Sequence, residues 1–225
     1  MLKKMGRREF LKASAATGAL LSMAPHLALA QEPKSIPLTK PQTGSDKSLM
    51  QALWKRMSSR QFSPEPLPME LLSNLLWAGF GINRPDGKRT APSAQNWQDI
   101  DIYVIRADGA YLFDAKANQL KLIVFEDLRG VAATQAFAKE APVNLIYVSD
   151  YAKTGEKTTD DVRRLFSGFH SGAIAQNIHL YCASEGLAII VRAGIDIPGV
   201  TKALKLRPDQ KIILAQSVGY PKKTS

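Results

Sequence analysis

A meander of short strands in the middle of the chain constrains the possible folds most strongly. Three candidate strands, Asp101–Arg106, Ala110–Asp114 and Gln119–Phe125, follow one another with only short turns between them. The next apolar segment, Val143–Val148, is continuously hydrophobic and rich in branched residues, which is typical of a strand buried on both faces. Strands grouped in this way indicate an α+β domain rather than a repeated βαβ fold.

Helical patterns flank the meander on both sides. The longest covers Asp160–Glu185, either as one helix or as a helix broken near Gly168 and Gly172, and Gly186 suits its C-terminal cap. Helices and strands in this mixed order predict three layers, with helices packed on a central sheet. Four further helices are predicted. One starts at Lys47 with Ser45 or Asp46 as its cap, one runs from Pro68 to Gly79 or Gly81, and two cover Asp127–Lys139 and Val200–Leu204. Two further strands are predicted over Leu187–Arg192 and Lys211–Val218.

The first 30 residues predict a removable export signal. A basic stretch that includes Arg7–Lys12 precedes an uncharged run, Ala13–Ala30, which ends in the small-residue pattern that suits signal peptidase. The run is only mildly apolar, so a permanent membrane span is the weaker interpretation. The sequence RREFLK resembles a twin-arginine motif, which directs folded proteins across the inner membrane. We therefore expect a periplasmic protein whose precursor meets the twin-arginine export machinery and acquires a cofactor in the cytoplasm.

Composition beyond the signal predicts a single domain. Residues 31–46, rich in Pro, Lys, Thr, Ser and Gly, predict an extended arm or linker. Residues 47–225 are enough for one domain with a sizeable core. Without residues 1–30 the formal net charge falls from +10 to +6. The positive residues are scattered rather than interleaved with aromatics along a stripe, so nucleic-acid binding is not expected.

The single cysteine and the few histidines argue against two kinds of chemistry. Cys182 has no partner for an intramolecular disulfide, and its apolar helical surroundings predict a buried core residue. His170 and His179 have no acidic or cysteine partner at ligand spacing, so no metal site is expected.

Three separated segments carry the candidate chemistry. Arg56–Phe62 places two guanidinium groups four residues apart around two hydroxyls, where they can bind a phosphate or a ribityl chain, although a solvated helix end is the alternative. Thr90–Gln98 offers backbone donors and amides immediately before a strand, and Gly186–Asp196 is a strand that leads into a glycine-containing turn. The chain has neither a G-x-G-x-x-G motif after a strand nor a Walker loop, so a nucleotide cofactor would be held in another way.

In this order the three segments resemble the nitroreductase superfamily, whose pattern is R-x-S-x-R/K near the start, P-S-x-x-N before a strand, and G-L with a strand and a short glycine loop late in the chain. The resemblance spans residues 47–221. Three shorter segments, Glu126–Arg129, Ala141–Pro142 and Ala175–Asn177, look most similar to the branch that includes the thiazoline and oxazoline dehydrogenases of peptide maturation.

The resemblance implies a three-layer fold with a central mixed, mostly antiparallel sheet, and a homodimer that binds FMN at its interface. The arginine segment of one chain would hold the phosphate, ribityl and pyrimidine side, and the Pro-Ser loop of the other chain would line the ring. Backbone N–H groups of the late turn would face the N5 and O4 edge. No side chain is implied as a nucleophile, acid or base, because the flavin supplies the chemistry. The implied cofactor-binding residues are Arg56, Met57, Ser58, Arg60, Pro92, Ser93, Ala94, Asn96, Gln98, Val191, Arg192, Ala193 and Gly194.

Two features depart from the family pattern. Many relatives carry a basic residue beyond the last strand, whereas this sequence ends six residues after Gly219. Lys222 or Lys223 could take that role or belong to a flexible tail. His170 could be a polar neighbour of the flavin or an ordinary helix-surface residue.

The implied function is hydride or electron transfer between FMN and a small organic substrate, with nitroaromatics or quinones as acceptors. Two other functions stay open, namely a flavin-binding or electron-transfer protein without turnover of its own, and a basic periplasmic binding protein. Flavin absorption of the purified protein, and reoxidation of the reduced protein by a nitroaromatic, distinguish the three.

Overall fold

The computed structural model describes residues 35–42, 44 and 47–223. The predicted export signal, residues 1–30, lies outside the described residues, as do Ser45 and Asp46. Along the described part of the chain, no helix combines the length and the apolar character that a membrane crossing requires.

One seven-stranded sheet forms the middle of the fold. Its strands are β1 (Ser35–Pro37), β2 (Ile100–Arg106), β3 (Gly109–Asp114), β4 (Gln119–Val124), β5 (Val143–Asp150), β6 (Ala188–Arg192) and β7 (Gln210–Gly219). They lie in the order β1-β4-β3-β2-β5-β7-β6, and every described pair is antiparallel. The predicted meander is confirmed as β2, β3 and β4, and the first strand belongs to the segment predicted as an arm. β6 forms one edge of the sheet.

Six α-helices lie along the described chain. They are α1 (Leu49–Lys55), α2 (Met69–Phe80), α3 (Arg129–Ala132), α4 (Ala136–Glu140), α5 (Asp160–Glu185) and α6 (Ile197–Ala203). The start of α1 differs from the prediction. The hydroxyl of Ser48 accepts the N–H of Gln51 and so caps the helix, and the predicted cap at Ser45 or Asp46 is therefore wrong.

The long helical pattern forms one unbroken helix, α5. The Thr159 hydroxyl accepts the N–H of Val162 at its start, and Gly186 ends it with a left-handed φ of 71°. The predicted cap at Gly186 is thus confirmed. Gly168 and Gly172 do not break the helix, because its opposite side is buried continuously and holds it straight against the sheet.

The segment predicted as one helix over Asp127–Lys139 is instead two short helices, α3 and α4. The helical backbone stops at Ala133, which has a φ of −143° and a ψ of 132°. The next residue, Thr134, donates its N–H to the carbonyl of Gly194 at 3.2 Å. The single-helix prediction is wrong because the chain leaves the helix to contact a distant turn, and local periodicity does not report such a contact.

The two faces of the sheet form two hydrophobic cores. On one face, Ile174 and Ile178 of α5 pack with Tyr147 of β5, and α2 joins the same core. On the opposite face, α3 and α6 pack around Ile146 and Val148. Neighbouring residues of β5 therefore point into different cores, as the alternation of a strand requires. The arrangement confirms the predicted three-layer α+β fold with helices on both faces of the sheet.

We predict that Gly186→Ala lowers the free energy of unfolding by about 1 kcal/mol, because a side chain is disfavoured in the left-handed conformation. Urea unfolding of the purified protein measures the change. Gly130→Ala is the matched control, since Gly130 is exposed in α3 and an added Cβ there meets nothing within 4 Å. The control should leave stability unchanged or slightly higher. Equal losses in both variants would contradict the cap.

Candidate functional site

The arginine segment lies along the free edge of the sheet. α1 ends at Lys55 and is capped by Arg56, whose N–H donates to the carbonyl of Ala52, and the chain then runs beside β6. The N–H of Ser59 donates to the carbonyl of Ile189 in β6 at 2.8 Å. The side chains of Arg56 and Arg60 are exposed, and neither forms an ion pair with a described residue. The segment beside β6 therefore carries two positive charges that no described carboxylate neutralises.

The end of the described chain returns to the same edge. Phe62 forms an isolated bridge with Pro221, and the N–H of Lys222 donates to the carbonyl of Gln61 at 3.2 Å. The side chains of Lys222 and Lys223 are exposed beside the arginine segment. Their contact with a cofactor stays a prediction.

A close-packed glycine turn follows β6. A Cβ added to Gly194 would lie 2.8 Å from Oε1 of Gln135 and 2.9 Å from Oγ1 of Thr134. A larger residue at this position would therefore require the side chains of Gln135 and Thr134, which lie in the break between α3 and α4, to move. Within the turn, the N–H of Ile195 donates to the carbonyl of Ala193 at 2.9 Å.

Arg192 is a buried cation held by neutral acceptors. Its Nε donates to Oγ of Ser217 at 2.9 Å, and its Nη2 donates to Oδ1 of Asn144 at 2.7 Å. Its Nη1 donates to the carbonyls of Ala132 at 2.9 Å and Gly194 at 2.8 Å. Burial lowers the pKa of Arg192 to about 10, so the guanidinium is still charged at neutral pH. The side chain points into the fold, which leaves only the backbone of this predicted site residue to face a ligand.

The Pro-Ser loop has a strained backbone. Gln95, Asn96 and Gln98 have left-handed φ values of 49°, 56° and 48°, a conformation that non-glycine residues rarely adopt and that clusters at functional sites. The Ser93 hydroxyl accepts the N–H of Gln98 at 3.0 Å. The Gln98 amide is also bonded locally, because its Nε2 donates to Oδ1 of Asn96 at 3.0 Å and its Oε1 accepts from Nε of Arg89 at 2.7 Å. Gln98 thus serves to hold the shape of the loop.

A buried pair, Asp99 and His170, anchors the loop to α5. The N–H of Ala94 donates to Nε2 of His170 at 2.7 Å. Because a backbone N–H can only donate, Nε2 accepts, and the proton of the neutral ring lies on Nδ1, which is 2.6 Å from Oδ1 of Asp99. The hydroxyls of Ser149 and Ser167 lie 2.7 and 3.2 Å from the other carboxyl oxygen, Oδ2. The backbone of the loop is therefore fixed by a network that is itself buried.

This anchor was missed by the sequence analysis. Asp99 and His170 are 71 positions apart, and no local pattern connects an aspartate before a strand with a histidine in a distant helix. The interpretation of His170 as a helix-surface residue is wrong, because the side chain is buried and both ring nitrogens are bonded within the chain.

Within one chain the three predicted segments do not meet at one point. The arginine segment and the glycine turn share the β6 edge, whereas the Pro-Ser loop is attached to α5 at His170. Burial, and to a lesser degree the nearby Arg56 guanidinium, lower the pKa of His179, which is also on α5. The two histidines are nine positions apart, which is about 14 Å along the helix. The loop is therefore bonded to α5 at His170, whereas the Arg56 guanidinium lies near His179 on a later turn of the same helix.

The predicted site residues differ widely in accessibility. Arg192 is buried, and four others are partly buried, namely Ser93, Ala94, Gln98 and Gly194. The remaining eight are exposed, namely Arg56, Met57, Ser58, Arg60, Pro92, Asn96, Val191 and Ala193.

Cys182 belongs to the core and not to this site. It is completely buried beside α5 residues of the first core, as predicted, and burial raises the pKa of its thiol. The described residues contain no group of three or more His, Cys, Asp or Glu that could hold a metal ion.

Comparison with known proteins identifies the family. Residues 53–220 match the model of the nitroreductase family. The chain therefore belongs to this family, and it is an oxidoreductase of the flavin-dependent type.

Individual relatives support the same assignment. A protein of Methanocaldococcus jannaschii, named provisionally as a nitroreductase, is 31% identical over 154 residues, which cover 63% of this chain and 76% of the relative. The crystal structure of a provisional nitroreductase from Ralstonia eutropha has a TM-score of 0.80 at 37% identity and covers 84% of this chain and 90% of that chain. A provisional nitroreductase from Desulfovibrio desulfuricans, crystallised with FMN, shares the fold with a TM-score of 0.56 at 21% identity, over 80% of this chain and 91% of that chain. The similarity to the thiazoline and oxazoline dehydrogenase branch is not tested by these comparisons and stays a prediction.

We predict that His170→Phe frees the backbone of the Pro-Ser loop, because the ring is kept but the acceptor for the Ala94 N–H is lost. Loss of one such bond, about 1.4 kcal/mol, should raise amide hydrogen exchange at Ala94 by about tenfold. Exchange measured by NMR or mass spectrometry on residues 90–98 tests this. His179→Phe is the matched control, since His179 lies on the same helix without bonding the loop. An unchanged exchange rate in His170→Phe would refute the anchor.

Proposed function

We propose that this chain is an FMN-dependent oxidoreductase that acts as a homodimer on small organic substrates such as nitroaromatics or quinones. The observation that carries the proposal is the placement of Arg56 and Arg60, which pair with no described carboxylate, on a segment that bonds β6 through the Ser59 N–H and the Ile189 carbonyl. In a symmetric dimer, the Pro-Ser loop of the partner subunit would complete the site.

The residues at this edge fit a flavin nucleotide. Guanidinium groups bind phosphate through charge-assisted hydrogen bonds, and both arginines are exposed and available for this role. The N–H groups of Ala193 and Gly194 donate to no described residue, which leaves two donors for the polar edge of a ring. When bound, the flavin supplies the hydride chemistry. A cation such as Arg60 beside the pyrimidine side would favour the anionic reduced form.

Exposed apolar side chains favour the dimer. Trp54 of α1 is 91% exposed and Met50 is 72% exposed, and α5 exposes Leu165 and Phe169. α1 packs on the later part of α5, and Leu165 and Phe169 lie in the first turns of the same helix. Exposed large apolar side chains are typical of a protein interface. We propose that a second copy of the chain covers these helices and brings its loop to the arginine segment.

The chain itself would contribute binding, orientation and charge. No described side chain is proposed as a nucleophile, and the substrate would be reduced or oxidised directly by the bound flavin. Anaerobic reduction of the purified protein, followed by addition of a nitroaromatic or a quinone, tests turnover. Reoxidation by either acceptor supports the oxidoreductase. A flavin that binds but does not react with any acceptor would instead favour a flavin-binding or electron-transfer protein.

We predict that Arg56→Ala weakens FMN binding, because it removes a charge-assisted hydrogen bond that contributes roughly 1.5 to 3 kcal/mol. The dissociation constant of FMN, measured by flavin fluorescence, should rise about tenfold or more. Lys116→Ala is the matched control, because Lys116 is an exposed cation in the turn between β3 and β4, away from β6. Unchanged FMN affinity in Arg56→Ala would reject this placement of the site.

We propose that the protein works in the periplasm and is exported already folded through the twin-arginine route. The support is the sequence RREFLK ahead of a mildly apolar run that ends in Ala28-Leu29-Ala30. Replacing Arg7 and Arg8 together by lysine should leave the precursor in the cytoplasm, since the arginine pair is the part of the motif that the export machinery recognises. Cell fractionation and immunoblotting measure the distribution. Normal export of the double variant would refute the route.

A further inference from the structure

A buried cation without an acidic partner lies directly behind the turn that follows β6. Arg192 is 5% exposed, and no described carboxylate forms an ion pair with it. Its acceptors are two backbone carbonyls, one amide oxygen and one hydroxyl. Burying a charge among neutral groups costs free energy, so packing alone does not explain an arginine here.

The guanidinium holds the turn through a carbonyl. Nη1 of Arg192 joins the carbonyl of Gly194 to the carbonyl of Ala132 at the end of α3. The Gly194 carbonyl also accepts the N–H of Thr134 at 3.2 Å. The Ala193 carbonyl accepts the N–H of Ile195 at 2.9 Å. A carbonyl shares its peptide plane with the N–H of the next residue, so the planes that carry the N–H groups of Gly194 and Ile195 are both fixed. The N–H of Ile195 is used within the turn, and the N–H of Gly194 has no described acceptor.

The acceptors of Arg192 are themselves held in place. Oδ1 of Asn144 accepts from both Arg192 and the Ser217 hydroxyl, the latter at 2.6 Å. Nδ2 of Asn144 donates to the carbonyl of Ala138 at 2.9 Å, so the orientation of the amide is defined. The position of the guanidinium is therefore preorganised by β5, β7 and α4 before any ligand binds.

We propose that Arg192 is a positioning residue for the flavin. Its planar fork orients the N–H of Gly194 through the bonded carbonyls of the turn, and its unneutralised charge favours the anionic reduced ring over the oxidised ring bound at that edge. This inference rests on the proposed function, because it requires a flavin beside β6. A lysine would keep the charge but not the fork, since an ammonium group has no planar arrangement of donors. Orientation and charge can therefore be separated by substitution.

The test compares Arg192→Lys and Arg192→Gln with the wild-type protein in three measurements. Amide hydrogen exchange of residues 193–199 in the FMN-free protein should rise in both variants, because both lose the fork. The dissociation constant of FMN should rise about tenfold or more in both. Only Arg192→Gln should change the relative affinity for the two flavin states. The ratio of the affinity for reduced FMN to the affinity for oxidised FMN should fall about tenfold, which makes the midpoint potential of the two-electron couple about 30 mV more negative.

Two further variants act as controls. Gly194→Ala perturbs the packing of the turn, because its Cβ would require the Thr134 and Gln135 side chains to move, but it keeps the charge. It should weaken FMN binding and leave the potential near that of the wild type. Asn144→Asp keeps an oxygen acceptor for the fork and neutralises the charge, so it should lower the potential even if Arg192→Gln does not fold.

The outcomes separate this inference from the proposed function. A wild-type protein that binds no FMN would reject the proposed function. If the wild-type protein binds FMN, and the FMN affinity and midpoint potential are unchanged in the Arg192 variants and in Asn144→Asp, the positioning role of Arg192 is rejected. Arg192 would then have a structural role only.

Discussion

The packing of α5 against one face of the sheet is the interaction on which both the core and the site depend. Ile174 and Ile178 fill the core beneath β5, so the helix cannot move without opening it. The same helix carries His170, which holds the Pro-Ser loop through the Ala94 N–H, and it supports α1, from which the arginine segment begins. A single buried contact surface thus sets the positions of two of the three segments.

The site is shaped by polar groups that are buried rather than by those that are exposed. His170 with Asp99 fixes the backbone of one loop, and Arg192 with Asn144 fixes the backbone of the turn after β6. Buried polar groups are costly unless their hydrogen bonds are satisfied, and here the bonds are made to backbone that faces the proposed ligand. The exposed arginines therefore lie beside a rigid edge of the sheet. A ligand that binds there meets groups that are already in place, which is what preorganised binding requires.

Elements with uninterrupted periodicity could be predicted from the sequence. The meander, the buried strand β5 and the bounds of α5 with its cap at Gly186 follow from side-chain alternation, apolar spacing and one glycine. The sequence left open whether α5 breaks near Gly168 and Gly172, and the structure shows one helix. The prediction failed where a distant contact overrides the local pattern. Ala133 leaves the helical conformation next to Thr134, which bonds Gly194 some sixty positions away. The cap of α1 was also misplaced, because several polar residues precede that helix and only the structure shows that Ser48 bonds the free N–H of Gln51.

The sequence by itself determined most of the helices and strands in their order, the three candidate segments and the family to which they belong, because residue type and spacing are local properties of the chain. Only the tertiary structure decided that the arginine segment lies beside β6, that the Arg192 side chain turns inward, and that His170 is an anchor rather than a surface residue. Each of these depends on a donor meeting an acceptor far away in the sequence. The spacing of apolar residues shows which side of an element is buried, but it does not show which distant groups that burial brings together.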